Sequence, residues 1–240
     1  MFKNIQKHMT RIKFKKTLGL LAICLMSVTG ISSVVHAELT IDVTRGTVEP
    51  LPIAVAPFIG TLSEENNFGR SIADVIQADL ERSGLFIGID NRAFIQSPEA
   101  MNTLPRFGDW RIINAQALVQ GRTKIVEDGR LRVEFRLWDV FAEQQLVGRV
   151  LTSVPENWRR VAHIIADAIY KRLTGEDGYF DTRIVYIAQQ SETGSCKATS
   201  NMNPYGKRLS IMDQDGENRR YLTDGSSLVL TPRFSPSQQE

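Results

Sequence analysis

The first feature that limits the fold is a short apolar run near the N-terminus, from Leu18 to Val28. Six basic residues and no acidic residue precede this run. A helix that crosses a membrane needs about 20 predominantly apolar residues, whereas the apolar region of a secretory signal needs only about 7–15. With eleven residues, the run predicts an export signal, which must be set aside before the fold is interpreted.

The end of this signal is predicted between Ala37 and Glu38. Val35 and Ala37 place small residues where a signal peptidase requires them, so residues 1–37 are assigned to the signal and Glu38 to the mature N-terminus. Two alternatives are an uncleaved membrane anchor and a lipid on Cys24. Lipidation is disfavoured because a bulky isoleucine precedes this cysteine, which lies inside the apolar run and not after it.

Removal of the signal changes the chemistry expected of the rest. It takes away six basic residues and no acidic one, which lowers the formal net charge from +2 to −4. The apparent basicity therefore belongs to the signal and gives no reason to expect a nucleic-acid partner. Only Cys196 remains of the two cysteines, so no intrachain disulfide is available and the fold depends on its core.

A β-α-β unit is predicted from residue 51 onward. The apolar run 51–58 is bounded by prolines and is typical of a strand buried on both faces. Helical spacing follows, with Asn67 as the predicted cap and Gly84 as the predicted left-handed residue beyond the end. Residues 85–89 return as a strand. Residues 91–114 carry an irregular pattern, in which short helices around Phe94 and Trp110 are one interpretation.

The rest of this region predicts an antiparallel meander and a second long helix. Strands are predicted over 117–126, 131–140 and 145–153. The Asp128-Gly129 pair between the first two is typical of a tight hairpin turn. A helix is predicted to open at Pro155 and to end before Gly175. Two helices against one mixed sheet indicate an α/β domain over residues 38–175.

From residue 175 the composition shifts toward turns and strands, and a new domain is predicted to start near Phe180. Short strands are predicted over 183–188, 207–212 and 220–223, followed by a fourth apolar stretch at 228–230. Strands at this spacing are typical of one blade of a propeller. The predicted fold class is therefore an α/β N-terminal domain, with a mixed sheet and two main helices, followed by the start of an all-β propeller.

Several motifs of this last region resemble the propeller repeat of the TolB family. They are Asp181-Thr-Arg-Ile-Val-Tyr186, Lys207-Arg-Leu-Ser-Ile-Met-Asp-Gln-Asp-Gly216, Leu222-Thr-Asp-Gly225 and Pro232-Arg-Phe-Ser-Pro236. The resemblance extends upstream over the α/β segment and the exported N-terminus. The family continues its Ser-Pro with Asp-Gly and further blades of a six-bladed propeller, whereas this sequence stops at Glu240, so residues 181–240 are expected to be the first blade of a truncated propeller.

The resemblance implies a periplasmic adaptor of the Tol-Pal machinery, which acts in outer-membrane invagination during cell division and in envelope integrity. Family members bind TolA through the mature N-terminus and the Pal lipoprotein through the propeller, and other envelope proteins are further candidate partners. The TolA-binding positions match Glu38, Leu39, Thr40, Ile41, Asp42, Val43 and Thr44. The Pal-binding surface is expected to lie mostly beyond residue 240.

The N-terminal segment has two interpretations that do not exclude each other. Leu39, Ile41 and Val43 alternate with polar residues, which predicts an amphipathic strand. This strand could complete the sheet of its own α/β domain. Alternatively, it could add to the sheet edge of a partner, with backbone bonds giving affinity and alternate side chains giving specificity.

The residue inventory argues against an enzyme. His163 is predicted to be a packed or surface residue of the second helix, and Cys196 is remote from it in sequence. The Asp213-Gln-Asp-Gly216 stretch is interpreted as a turn, because basic residues stand where a calcium loop needs an acid. No metal, cofactor or small-molecule substrate is predicted. The alternative function is a sensing or binding domain that precedes a propeller-linked periplasmic peptidase, which a downstream Gly-x-Ser-x-Gly segment would reveal.

Overall fold

The computed structural model describes residues 39–41, 49–97, 104–189 and 207–235. The predicted signal, its cleavage site and both cysteines lie outside these ranges. None of the helices within them combines the length and the apolarity that a membrane crossing requires.

A five-stranded mixed sheet forms the centre of the N-terminal part. Its strands are β1 (Leu51–Val55), β2 (Phe86–Gly88), β3 (Ala117–Ile125), β4 (Leu131–Asp139) and β5 (Gln144–Ser153). They lie in the order β2-β1-β3-β4-β5, with β1 parallel to both of its neighbours and the other pairs antiparallel. Its helices are α1 (Ser63–Arg82), α2 (Phe107–Ile112) and α3 (Trp158–Thr174). The predicted α/β fold, with a mixed sheet and two long helices, is confirmed.

Apolar side chains fill both faces of this sheet. Successive residues of a strand point to opposite faces, and in β1 Ile53 belongs to one buried cluster whereas Ala54 belongs to another. The larger cluster includes Ile165 of α3 and residues of α1, and the smaller one includes Trp110 of α2 and Trp138 of β4. The central strands are therefore covered on both sides.

Helix α1 begins four residues before Asn67, so the prediction of a cap at Asn67 was wrong. The carboxylate of Glu65 satisfies the first turn instead. One of its oxygens accepts hydrogen bonds from the amides of Thr61 (2.7 Å) and Leu62 (3.0 Å), and the other accepts one from the amide of Ile125 at the end of β3 (2.8 Å). The bonds from Thr61 and Leu62 thus cap the first turn locally, and the bond from Ile125 joins this turn to the end of β3.

Three glycine-based predictions of turns and helix ends are confirmed. Gly129 has a φ of 80° in the turn between β3 and β4, where the amide of Val126 donates to the carbonyl of Arg130 (2.9 Å). Gly84 and Gly175 follow α1 and α3 with φ values of 75° and 81°. Glycine adopts this left-handed conformation at little cost because it has no Cβ.

The segment that leads from α3 to the next sheet is held by α3 itself. The amides of Phe180 (2.7 Å) and Asp181 (3.1 Å) donate to the two carboxylate oxygens of Asp167. The ring of Phe180 is fully buried in the larger cluster, with its centroid 5.7 Å from that of Tyr170. Phe180 therefore contributes its side chain to the α/β core, while the division into domains at residues 175 and 181 stays a prediction.

Strands β6 (Arg183–Gln189), β7 (Lys207–Asp213) and β8 (Arg220–Tyr221) form a three-stranded antiparallel sheet, called the blade below. The all-β character predicted for this region is confirmed. The third strand is shorter than predicted, and the apolar stretch 228–230 forms no strand. Its two leucines, Leu228 and Leu230, are more than half exposed.

Candidate partner-binding site

Three of the seven residues in the predicted partner-binding segment are described, namely Leu39, Thr40 and Ile41. The other four, Glu38, Asp42, Val43 and Thr44, lie outside the described residues, as does the predicted cleavage site between Ala37 and Glu38. The three described residues alternate in burial. Leu39 is half-buried, Thr40 is exposed, and Ile41 is only 8% exposed.

Ile41 attaches this segment to the C-terminal end of α3. Its amide donates a hydrogen bond to the carbonyl of Leu173 (2.7 Å). The last four carbonyls of a helix have no partner within the helix, so this bond satisfies one of them. The side chain of Ile41 joins the larger core cluster, and Leu39 packs against the same cluster.

Residues 39–41 form no strand, so the described part of the segment is attached to a helix end and not to a sheet edge. Sequence reasoning found the alternation but missed Leu173 as its partner. Gly175 indicates the end of α3 in the sequence, and carbonyls without a partner inside the helix are expected in the turn before it. No local pattern shows which distant amide will reach them.

A second group of polar side chains, the junction cluster, is buried where the blade meets α1 and α3. Nδ1 of His163, on α3, lies 2.6 Å from Oδ2 of Asp79 on α1. Nε2 of the same ring lies 3.7 Å from Oδ2 of Asp215 and 4.0 Å from Oδ2 of Asp213, both at the end of β7 and the turn that follows it. The side-chain amide of Gln214, in this turn, donates from Nε2 to Oδ1 of Asp79 (3.1 Å). His163 is 1% exposed. Of the two predictions for this residue, packed or on the surface, the packed one is therefore correct.

The charges around His163 favour its protonated form. Burial disfavours a charged imidazole, but the hydrogen bond and charge of Asp79, together with the charges of Asp215 and Asp213, outweigh it and raise the pKa of His163 above its ordinary value. Burial also raises the pKa of Asp215, yet its bond from the amide of Glu217 and its ion pair with Arg159 leave this pKa below the ordinary value.

The junction cluster is better suited to hold two parts of the chain together than to bind a metal or catalyse a reaction. Ligand atoms of Asp79, His163 and Asp215 lie within 4.8 Å of one another, a spacing that an ion could bridge. However, Asp215 is already paired with Arg159, and Asp79 is paired with Arg82 (2.8 Å). His163 faces carboxylates from both ring nitrogens, so it is not placed to activate a hydroxyl or a thiol.

Comparison with known proteins gives consistent results for both parts of the chain. Residues 39–146 match the TolB amino-terminal domain, and residues 170–240 match the TolB beta propeller domain. The Tol-Pal system protein TolB of Paramagnetospirillum magneticum is 53% identical over 231 residues, which are 95% of this chain and 50% of that protein. The crystal structure of TolB from Acinetobacter baumannii is similar with a TM-score of 0.61 and 26% identity, over 81% of this chain and 44% of that one. The chain thus spans about half the length of the curated relative it matches.

Proposed function

Because the chain belongs to the TolB family of the Tol-Pal system, we propose that it is a periplasmic adaptor that binds TolA through its mature N-terminus and Pal through its propeller. TolB proteins are non-enzymatic envelope proteins, and the adaptor role agrees with the absence of catalytic motifs in the sequence.

The observation that supports TolA binding is the attachment of residues 39–41. Within the described residues 39–41, one backbone hydrogen bond, from Ile41 to Leu173, and two apolar side chains hold the chain to the α/β core. A sheet edge of a partner offers a ladder of backbone bonds and pockets for alternate side chains. A partner can therefore replace these few internal contacts with more numerous ones, and the segment then changes from an internal to an external position.

Pal binding is proposed for the propeller, whose Pal-binding surface we expect to lie mostly beyond residue 240. The adaptor would then connect TolA with an outer-membrane lipoprotein, which gives it a role in drawing the outer membrane inward at division and in maintaining the envelope. Signal cleavage between Ala37 and Glu38 belongs to this proposal, because only a freed N-terminus can add as a terminal strand.

Deletion of residues 38–44 tests the proposal. We expect the deletion to abolish binding of the purified C-terminal domain of TolA in titration calorimetry, while circular dichroism shows that the α/β core stays folded. Ile41→Asp should also weaken binding, because burial of an unpaired carboxylate costs several kcal/mol. Thr40→Ala, on the exposed side, is the matched control with little effect. Unchanged affinity after the deletion would contradict strand addition, and loss of the fold would show that the segment serves the core.

A further inference from the structure

The junction cluster provides polar contacts from the blade to both long helices. The turn after β7 contributes Asp215, which pairs with Arg159 of α3, and Gln214, which bonds Asp79 of α1. His163 lies between these contacts and is 1% exposed. Any movement of the blade relative to α1 and α3 must therefore change the surroundings of this one ring.

The hydrogen bonding of His163 is incomplete when the ring is neutral. An ionised carboxylate can only accept hydrogen bonds, so the short contact with Asp79 places the ring proton on Nδ1. Nε2 then carries a lone pair, and it points toward the carboxylates of Asp215 and Asp213 with no hydrogen-bond partner. The Nε2 lone pair and the two carboxylates are all hydrogen-bond acceptors, so their close approach in a buried site is unfavourable.

A second proton removes this conflict. Protonated histidine donates from both nitrogens, so Nε2 can bond Asp215 after an approach of less than about 1 Å from a separation of 3.7 Å. The positive ring would then attract one carboxylate from α1 and two from the blade. We propose that the junction cluster is a proton-operated latch, in which protonation of His163 fastens the turn after β7 to helices α1 and α3.

The charged groups that face the ring come from every element packed against it. Those in contact with the ring are Asp79 from α1, Asp213 at the end of β7 and Asp215 in the turn after it. The groups that pair with or lie near these carboxylates are Arg82 from α1, Arg159, Arg160 and Asp167 from α3, and Asp181 and Arg183 at the start of the blade. Arginine retains its charge throughout the accessible pH range, and the ordinary pKa of histidine is the one that lies near neutral pH. The group that changes charge near neutral pH is therefore His163.

The direction of the effect follows from the raised pKa of His163. Asp79 and His163 lie on the two long helices of the α/β core, so we expect them to stay in contact when the blade undocks. Docking then adds the charges of Asp213 and Asp215 to that of Asp79. The stabilisation of the docked blade is fully present below the pKa of the undocked state and is lost as the pH rises through the higher pKa of the docked state.

A histidine titration by NMR tests the electrostatic half of this proposal on the full chain, in which His163→Gln identifies the signal of His163 among the three histidines. We expect a midpoint above about 6.5. Asp215→Asn should lower it by roughly one unit, since it removes an opposite charge near the ring. Asp224→Asn is the matched control, because this exposed blade carboxylate bonds Ser226 and lies apart from the cluster. A midpoint at or below 6.5, or one that Asp215→Asn leaves unchanged, would overturn the latch.

Hydrogen exchange of the peptides that cover residues 207–217 tests the mechanical half. After correction for the intrinsic exchange rate, protection should fall about tenfold between pH 6 and pH 8, because one unit of pKa difference corresponds to a tenfold change in the equilibrium. His163→Gln, which keeps a donor toward Asp79, should remove this pH dependence, and Asp224→Asn should retain it. The same pH dependence in His163→Gln as in the unaltered chain would refute the proposal.

Discussion

The two sheets of this chain are built from the same kind of pairing but are covered very differently. The β3-β4 hairpin of the five-stranded sheet and the β6-β7 hairpin of the blade are both antiparallel, with regular registers of nine and seven residue pairs. Along β4, alternate residues from Leu131 to Leu137 are fully buried. Among the described blade residues, Ile211 is the one buried apolar side chain, while Ile184 and Tyr221 are 41% and 61% exposed.

This difference shows that strand pairing alone does not make a stable sheet. A hairpin of two or three strands becomes independently stable only when an apolar face is covered by a helix or another sheet. Helices α1, α2 and α3 supply that cover for the first sheet. Among the described residues, the blade is joined to the α/β part through the junction cluster and the linker at Phe180 and Asp181. In a propeller, neighbouring blades cover the remaining faces.

Limited proteolysis of the whole chain should show the largest difference between the two regions. Trypsin sites at Arg183, Lys207 and Arg220 lie on blade strands whose local opening should need little free energy, whereas sites within β3 and β4 become accessible only when the core unfolds. We expect the blade bonds to be cut at least tenfold faster, with a resistant fragment that retains α1 and α3. Equal protection of both regions, measured by mass spectrometry over a time course, would show that the blade is stable on its own.

Phe180→Ala tests where the boundary between the two regions lies. If this side chain belongs to the α/β core, its loss should lower the free energy of unfolding by about 3–5 kcal/mol, as for other fully buried phenylalanines. Phe234→Ala is the matched control, because that ring is 57% exposed and its loss should cost no more than about 0.5 kcal/mol. Urea unfolding followed by tryptophan fluorescence measures both. Equal, small effects would place the boundary before residue 180.

Glu65→Gln tests the contact between α1 and β3, with a smaller expected effect on the free energy of unfolding. Burial raises the pKa of Glu65, but bonds from the amides of Leu62, Ile125 and Thr61 outweigh it and lower this pKa below its ordinary value. The carboxylate therefore stabilises the fold above about pH 4.3, and its contribution is lost as the pH falls through the lowered pKa.

We expect Glu65→Gln to cost about 1–3 kcal/mol at pH 7 and progressively less toward pH 3, by urea unfolding at each pH. Glu64→Gln, one residue earlier and exposed, should cost little at either pH. A cost for Glu65→Gln that does not change with pH would mean that its charge is unimportant.

The sequence predicted those features that depend on neighbouring residues. The strand predicted over 131–140 corresponds to β4, and Gly84, Gly129 and Gly175 marked a turn and two helix ends that the structure contains. The motifs of the blade specified the family. Each of these signals is carried by a few consecutive residues, so no knowledge of distant contacts was required.

Features that depend on distant residues could not be predicted. The second carboxylate oxygen of Glu65 joins the start of α1 to Ile125 at the end of β3, sixty positions later. Phe180 stands at a composition boundary, yet its ring enters the earlier core. His163 and the Asp213-Gln-Asp-Gly216 turn were both noticed in the sequence, but only the packing of α1, α3 and the blade brings them together around Asp79.

The parallel pairing of β1 with β3 has a consequence for the time course of folding. Ile53 pairs with Ala117, so this contact must close a loop of more than sixty residues, whereas the β3-β4 and β4-β5 hairpins close over short turns. The entropy lost in loop closure grows with loop length, and contacts between distant residues slow folding. The meander is therefore expected to be structured in the transition state, with high φ-values in β4, while β1 and β2 join the sheet late and have φ-values near zero.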